Sequence, residues 1–305
     1  MSSHKFQRVV RTHYDNTMKN QSAMEYLMTY GWSILIVAVV LGALLVLGVF
    51  NPLTFAPKAT AGNCQVVKNA QLGVSNLVGS CNNQVPQYVA QFDGKGQITV
   101  QDSSSLHEFY NMTYVMWMNI QQQNTEWLFG KINCPVQNGW YVYTDSAHGW
   151  HPTFVIYNGG TRYEWDSGYT MNANEYYQLI IVFKDGIASL YMNGENVNWT
   201  SQPTSADSIG SPVVLPPLWF GAYLCGGYNF IGELSNVQIY NSSLPGESIQ
   251  SLYREGIGGV PVDPQNLVGW WTLNGNANDY SGNNNNGVPT NVVFTSSWFG
   301  GYTQP

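Results

Sequence analysis

The sequence predicts a mainly β protein, with an N-terminal apolar α-helix followed by a two-sheet sandwich or jelly roll. Three observations predict it. Residues 31–50 (GWSILIVAVVLGALLVLGVF) carry no ionisable side chain. From residue 88 onward, short alternating runs recur at about 8–12 residue spacing between turn dipeptides. The chain is 10% charged and 14% aromatic, with 11 Trp and 20 Tyr. Such a composition suits a turn-rich extracellular β domain and disfavours a helical cytosolic enzyme.

The elements follow in chain order. Residues 1–20 form a basic leader with Lys5, Arg8, Arg11 and Lys19 against one acid, Asp15. Residues 21–52 form the helix. At about 1.5 Å per residue, the apolar span is about 30 Å long, enough to cross a bilayer core. Asn51-Pro52 ends it, because a residue before proline leaves the helical region. Tyr26, Tyr30 and Trp32 sit where interfacial aromatics belong, at the end next to the basic leader. That leader stays on the cytoplasmic side. The remainder, with 7 basic and 17 acidic residues, faces outward and excludes nucleic acid as a partner.

One carboxylate, Glu25, stands six residues before the apolar span. A buried carboxylate asks for a positive partner. Three readings of this segment stand side by side. It is a secretory signal cleaved at Ala59-Thr60-Ala61, a permanent single-pass tether, or an assembly helix. The local sequence speaks to the third: QSAMEYLMTYGW resembles the archaeal class III signal peptide of type IV pilin-like proteins, with Gln21, Glu25 and Leu27 matching its pattern. Ala23 replaces the serine of that pattern, and Asn20 stands where a small residue is common. The resemblance implies cleavage between Asn20 and Gln21 by a prepilin peptidase. Glu25 would then meet the new α-ammonium of a neighbouring pilin subunit. An unpaired charge in an apolar bundle costs several kcal/mol, so the pair would fix helix stagger.

Residues 53–87 read as a linker holding Cys64 and Cys81. The other two cysteines are Cys134 and Cys225, and no CxxC suggests zinc. An even count in an exported chain suggests disulfides, with Cys64–Cys81 as the local pair, leaving Cys134–Cys225. A loop as short as the first is worth about 3 kcal/mol. Four unpaired buried thiols are the alternative. Sequons at Asn111, Asn198 and Asn241 mark candidate N-glycosylation loops.

Residues 88–305 form the sandwich. Gln97–Gln101, Tyr114–Ile120 and Trp140–Tyr143 alternate polar and apolar. Tyr176–Phe183 is a continuous apolar run, as in a strand covered on both faces. Asp185-Gly186 and Asn193-Gly194 read as hairpin turns, since both central residues need positive φ. Leu218–Ala222 and Phe230–Tyr240 supply further strands. Pro245–Arg254 is the one helical patch, with proline at its first turn and Gly256 past its end.

VAQFDGKGQITVQDSSSL, YYQLIIVFKDGIASLYMNGENV and FIGELSNVQIYNSSLPGESIQSLYREG, over residues 88–256, resemble the concanavalin A-like, laminin-G-type jelly roll. The resemblance implies two antiparallel sheets and binding of glycans, proteins or calcium. Residues 267–287 (LVGWWTLNGNANDYSGNNNNG) resemble the segment that normally begins such a domain. Here it lies within the C-terminal segment 263–305, which would close the sandwich in permuted order, start a second repeat, or insert into a neighbouring subunit.

Candidate sites follow. Glu164 and Asp166 share a strand face, as in glycosidases of the wider superfamily, but Ser167, Gly168 and Tyr169 supply no partner carboxylate. No catalytic residue is therefore assigned, and the alternative is a solvated edge pair. His148 and His151 read as a surface loop. Asp93 and Asp102 are the candidate Ca²⁺ ligands; Asp93 also reads as a turn residue. Trp140, Trp150, Tyr163 and Trp165 are candidates for stacking on sugar rings, or for core packing. The expected protein is a surface-exposed pilin-like subunit: at the membrane before assembly, extracellular afterwards, self-associating through its helix and binding glycan or a partner surface through its jelly roll. A membrane-anchored lectin that does not polymerise is the alternative, and a polysaccharide-active enzyme a third.

Overall fold

The computed structural model describes residues 30–46 and, between interruptions at 61, 70, 72, 83, 108–110, 123, 134, 136–137, 147–148, 204–214, 223–225 and 228, residues 58–305. The chain divides into two compact units, residues 1–56 and 57–305. In the first, residues 30–46 form α1, whose apolar side chains are exposed or half-exposed. Among the described residues no helix is long and apolar enough to cross a membrane. Asn20, Gln21 and Glu25 lie outside the described residues.

In the second unit the strands, in chain order, are β1 (Lys58–Ala59), β2 (Cys64–Asn69), β3 (Val74–Gly79), β4 (Val85–Pro86), β5 (Val89–Asp93) and β6 (Gln97–Val100). There follow β7 (Asn111–Ile120), β8 (Glu126–Ile132), β9 (Gly139–Asp145), β10 (His151–Asn158), β11 (Thr161–Asp166), β12 (Tyr176–Lys184), β13 (Ile187–Met192) and β14 (Glu195–Val197). Then come β15 (Leu218–Phe220), β16 (Ile231–Tyr240), helix α2 (Gly246–Arg254), β17 (Leu267–Trp271), β18 (Gly287–Thr290) and β19 (Val293–Thr295).

Two antiparallel sheets face each other. One runs β11-β10-β9-β8-β15-β6-β18; the other runs β14-β13-β12-β7-β16-β5-β19, with β17 also on β16. The mainly β, jelly-roll expectation holds. Both hairpin dipeptides turn as their chemistry requires: Asp185 and Gly186 have φ of 50° and 81°, Asn193 and Gly194 52° and 78°. The alternating strands put one face of each sheet into a shared core, including Phe92, Ile98, Met116, Trp140, Phe154 and Trp165. The apolar run of β12 is covered on both faces. Leu179 and Ile181 join that core, whereas Ile180 and Val182 join a second cluster with Ile249 and Leu252 of α2. Helix α2 and the β2–β3 hairpin, through Val66, therefore cap the outer face of the eight-stranded sheet.

The stretch expected as a linker holds that β2–β3 hairpin, and Cys64–Cys81 is a disulfide closing it, with Cα atoms 4.9 Å apart. Cys134 and Cys225 lie outside the described residues. The C-terminal segment packs on its own chain: β17 pairs with β16, β18 with β6, and β19 with β5. Of the three fates open to residues 263–305, this is closure in permuted order.

Candidate functional site

With α2 and the hairpin on one sheet, the outward row of the other sheet carries the chemistry. On β9 the period of two sends Trp140 and Val142 into the core and leaves Tyr141 and Tyr143 half-buried on the outside. Register then lines up Gly130, Tyr141, Val155 and Glu164 in one row across β8 to β11, and Trp127, Tyr143, Thr153 and Asp166 in the next.

The outward rings of the platform are Tyr141, Tyr143 and Tyr157, with Trp127, 3% exposed, packed behind Tyr141. Trp127 stacks on Tyr141 with centroids 4.2 Å apart and planes 24° apart, and Tyr141 lies 6.4 Å from Tyr157 at 22°. Tyr143 flanks Tyr141 at 5.7 Å. Gly130 makes this possible: a Cβ there would sit 2.5 Å from the Tyr141 Cβ and 2.7 Å from the Trp127 ring.

Polar groups border the platform. Arg162 pairs with Glu164, hydrogen bonds with Tyr141, and donates through Nη2 to the Tyr143 hydroxyl at 3.4 Å. Tyr143 in turn donates to Glu164 Oε2 at 3.4 Å. Burial pushes the Tyr143 hydroxyl up to about 12, so it keeps its proton at neutral pH. Asp166 is almost buried; it accepts from Thr153 Oγ1 at 3.5 Å, and His151 Nδ1 lies 3.5 Å from its Oδ1. Flat apolar rings beside a fixed donor–acceptor fork are what a pyranose ring with hydroxyls on its edge requires.

The structure redistributes the residues singled out from sequence. Glu164 and Asp166 share a face of the edge strand β11, but Glu164 is tied to Arg162 and Asp166 is buried rather than solvated. Trp140 and Trp165 are 3% and 2% exposed and belong to the core, so they stack on no ligand. Tyr163 packs against the same core, and Trp150 is half-buried at a φ of 61°. The platform residues sit one place along, at Tyr141 and Tyr143. The signal for them was the phase of Trp140-Tyr-Val-Tyr143, in which the amphipathic tyrosines alternate with the apolar pair.

Asp93 ends β5 and caps its turn, accepting from the Lys95 amide at 2.9 Å. Asp102 is engaged on both oxygens, by Lys131 Nζ and by His107 Nε2 at 2.7 Å. Burial pushes the Asp102 carboxyl up, but these two donors outweigh it and hold it below the usual range. Lys131 is fully buried, which lowers its amine, and it also donates to the Pro216 carbonyl at 2.7 Å. A calcium ion at Asp102 would have to displace a buried ammonium. Among the described residues no three His, Cys, Asp or Glu side chains are grouped to hold a metal. Asn198 and Asn241 are exposed, whereas Asn111 is half-buried with its Oδ1 shielded. His148 lies outside the described residues, and His151 contacts Thr170 Oγ1 at 3.4 Å.

No curated protein matches the sequence. Among solved structures, a Bacteroides ovatus protein described as a candidate carbohydrate-binding protein is 14% identical, covering 78% of this chain and 70% of its own, with a TM-score of 0.50. A heptameric pentraxin from Limulus polyphemus is 15% identical over 57% of this chain and 86% of its own, with a TM-score of 0.44. Domain 4 of an arabinanase from Geobacillus stearothermophilus, solved with arabinotriose, is 12% identical over 64% and 84%, at 0.43. At these identities the first likeness speaks for the fold alone. Residues 92–250, just over half the chain, match the model of the concanavalin A-like lectin/glucanases superfamily, and the chain belongs to that family.

Proposed function

We propose that the jelly roll is a non-catalytic recognition module that binds neutral glycan on the outer face of its seven-stranded sheet. The carrying observation is the half-buried Tyr141–Tyr157 pair, backed by the buried Trp127, beside the Arg162–Glu164–Tyr143 fork. The Tyr141 and Tyr157 rings would take the apolar face of a sugar, Arg162 would donate to its hydroxyls, and Glu164 would accept from them. Family membership supports the reading. A glycan array probed with the full chain tests it. Saturable binding, lost in both Tyr141→Ala and Arg162→Ala, is the expected result; binding that survives both would refute the site.

In the same proposal the N-terminal segment makes this a pilin-like subunit. Its support is the Gln21, Glu25 and Leu27 pattern ahead of the uncharged span of residues 31–50. Mass spectrometry of the native N-terminus tests the assembly half. A chain starting at Gln21 supports a filament subunit, and one retaining Met1 supports an anchored lectin instead. Glu25→Gln should reduce filament yield while leaving glycan binding unchanged.

A further inference from the structure

The β2–β3 hairpin lies on the layer opposite the tyrosine platform, and its two edges differ. The edge of β2 is tied to the sandwich: the Val66 amide donates to the Tyr280 carbonyl at 2.7 Å, and Lys68 Nζ donates to the Leu267 carbonyl at 2.6 Å. Across the hairpin Val66 faces Leu77 and Lys68 faces Ser75. Because the Val66 amide points away from β3, antiparallel alternation turns the amides and carbonyls of Ser75 and Leu77 away from β2. Among the described residues no strand pairs with that edge of β3.

Open sheet edges are ordinarily blunted by charge, proline or shortness. The margins of the two large sheets follow the rule. β11 carries Arg162 and Glu164, β18 carries Pro289, β14 carries Glu195, and β19 is three residues long. β3 (VSNLVG) is six residues long and has neither charge nor proline.

Its outward face is symmetric about Asn76. Val74 and Val78, 44% and 49% exposed, stand two residues to either side, and Val67 of β2 lies opposite Asn76. An antiparallel second copy centred on Asn76 sets Val74 against Val78 of the second copy, and Val78 against its Val74. Ser75 and Leu77 then meet Leu77 and Ser75 of the second copy as hydrogen-bonded pairs. A slip by one residue would set the outward valines against the inward row. A charge at the axis would face its own copy, so an uncharged strand is what self-pairing requires.

We infer that β3 is a self-pairing edge, through which two copies of this chain join antiparallel about Asn76 into a four-stranded sheet. The contact rests on the second unit alone and not on the N-terminal segment. One strand a side falls below the ~1,200 Å² of stable interfaces, so the pair forms reversibly.

The test is disulfide trapping of the full chain in detergent micelles, with the unsubstituted chain as control. Facing Cα atoms in a non-hydrogen-bonded antiparallel pair are about 4.5 Å apart, within disulfide range. Asn76→Cys should therefore give a covalent dimer, its linkage assigned by peptide mass mapping. Val67→Cys lies on the same exposed face, but its two copies would stand three strands apart, about 14 Å, and should stay monomeric. In the Asn76→Cys background, Val78→Lys should cut trapping severalfold, since the change enters the contact twice. Adding Val74→Glu, which faces it from the second copy, should restore trapping. The inference is overturned if Asn76→Cys traps no more dimer than Val67→Cys, which would leave the edge to another segment or another protein. It is equally overturned if Val78→Lys changes nothing, or if Val74→Glu does not rescue it.

Discussion

Replacing Glu126 by glutamine should change how stability depends on pH. Glu126 is 1% exposed at the start of β8, and the Ile231 amide donates to its Oε2 at 3.4 Å while Oε1 has no partner. Burial raises its carboxyl from 4.5 to about 8, and the single amide lowers it only in part. The folded state therefore holds a proton that the unfolded chain releases near 4.5. The contribution is complete below that value, declines as pH rises, and is exhausted above about 8. A shift of this size corresponds to about 5 kcal/mol at ~1.4 kcal/mol per unit. Relaxation and water entry on ionisation should reduce it to about 2–3 kcal/mol, still a large share of the ~5–15 kcal/mol of a typical domain. Glu126→Gln keeps the shape and an acceptor but cannot ionise. Urea unfolding of both proteins between about pH 5 and pH 8 should show stabilities that agree at the acid end. At the alkaline end the variant should be more stable by about 2–3 kcal/mol. Parallel curves across that range would refute the reasoning.

Other outcomes follow from the same structure. Gly130→Ala should push Trp127 off Tyr141, costing about 1–3 kcal/mol by overpacking and abolishing glycan binding, read by thermal melting and the array. Asp102→Asn should cost about 3–5 kcal/mol by leaving the buried Lys131 ammonium unpaired; adding Lys131→Met should restore most of it, as a double-mutant cycle will measure. Cys64→Ser with Cys81→Ser should lower stability by about 2–3 kcal/mol and expose the β2–β3 hairpin to proteolysis, with the two sheets intact by circular dichroism. Glu233, whose carboxyl burial also pushes up, should give a Gln variant whose relative stability rises with pH in the same sense as for Glu126.

Local chemistry made much of the sandwich legible. Asp185-Gly186 and Asn193-Gly194 specify their turns by backbone sterics alone, and the residues between them, Ile187–Met192, form β13. The run from Tyr176 reads as doubly covered because alternate residues meet two different apolar layers. The β2–β3 hairpin was hidden because its outward faces mix Val67, Val74 and Val78 with polar residues, and only Val66 reaches full burial. The site was harder still. A tryptophan attracts attention by size, yet Trp140 and Trp165 point inward, and the platform is set by strand phase and by Gly130, whose importance depends on a neighbour eleven residues away. Nothing local to Asp102 announces that a lysine 29 residues on will occupy it.

The permuted closure bears on how this chain is made. Strands β5 and β6 leave the ribosome early, but their last neighbours, β19 and β18, are translated nearly at the end. Until then one margin of each layer presents unpaired amides and carbonyls, a template for joining another nascent chain. A stop codon before residue 263 would thus yield a sticky, unsealed intermediate rather than a shorter working domain, and the yield of folded chain should depend on a holdase that shields both margins until translation finishes.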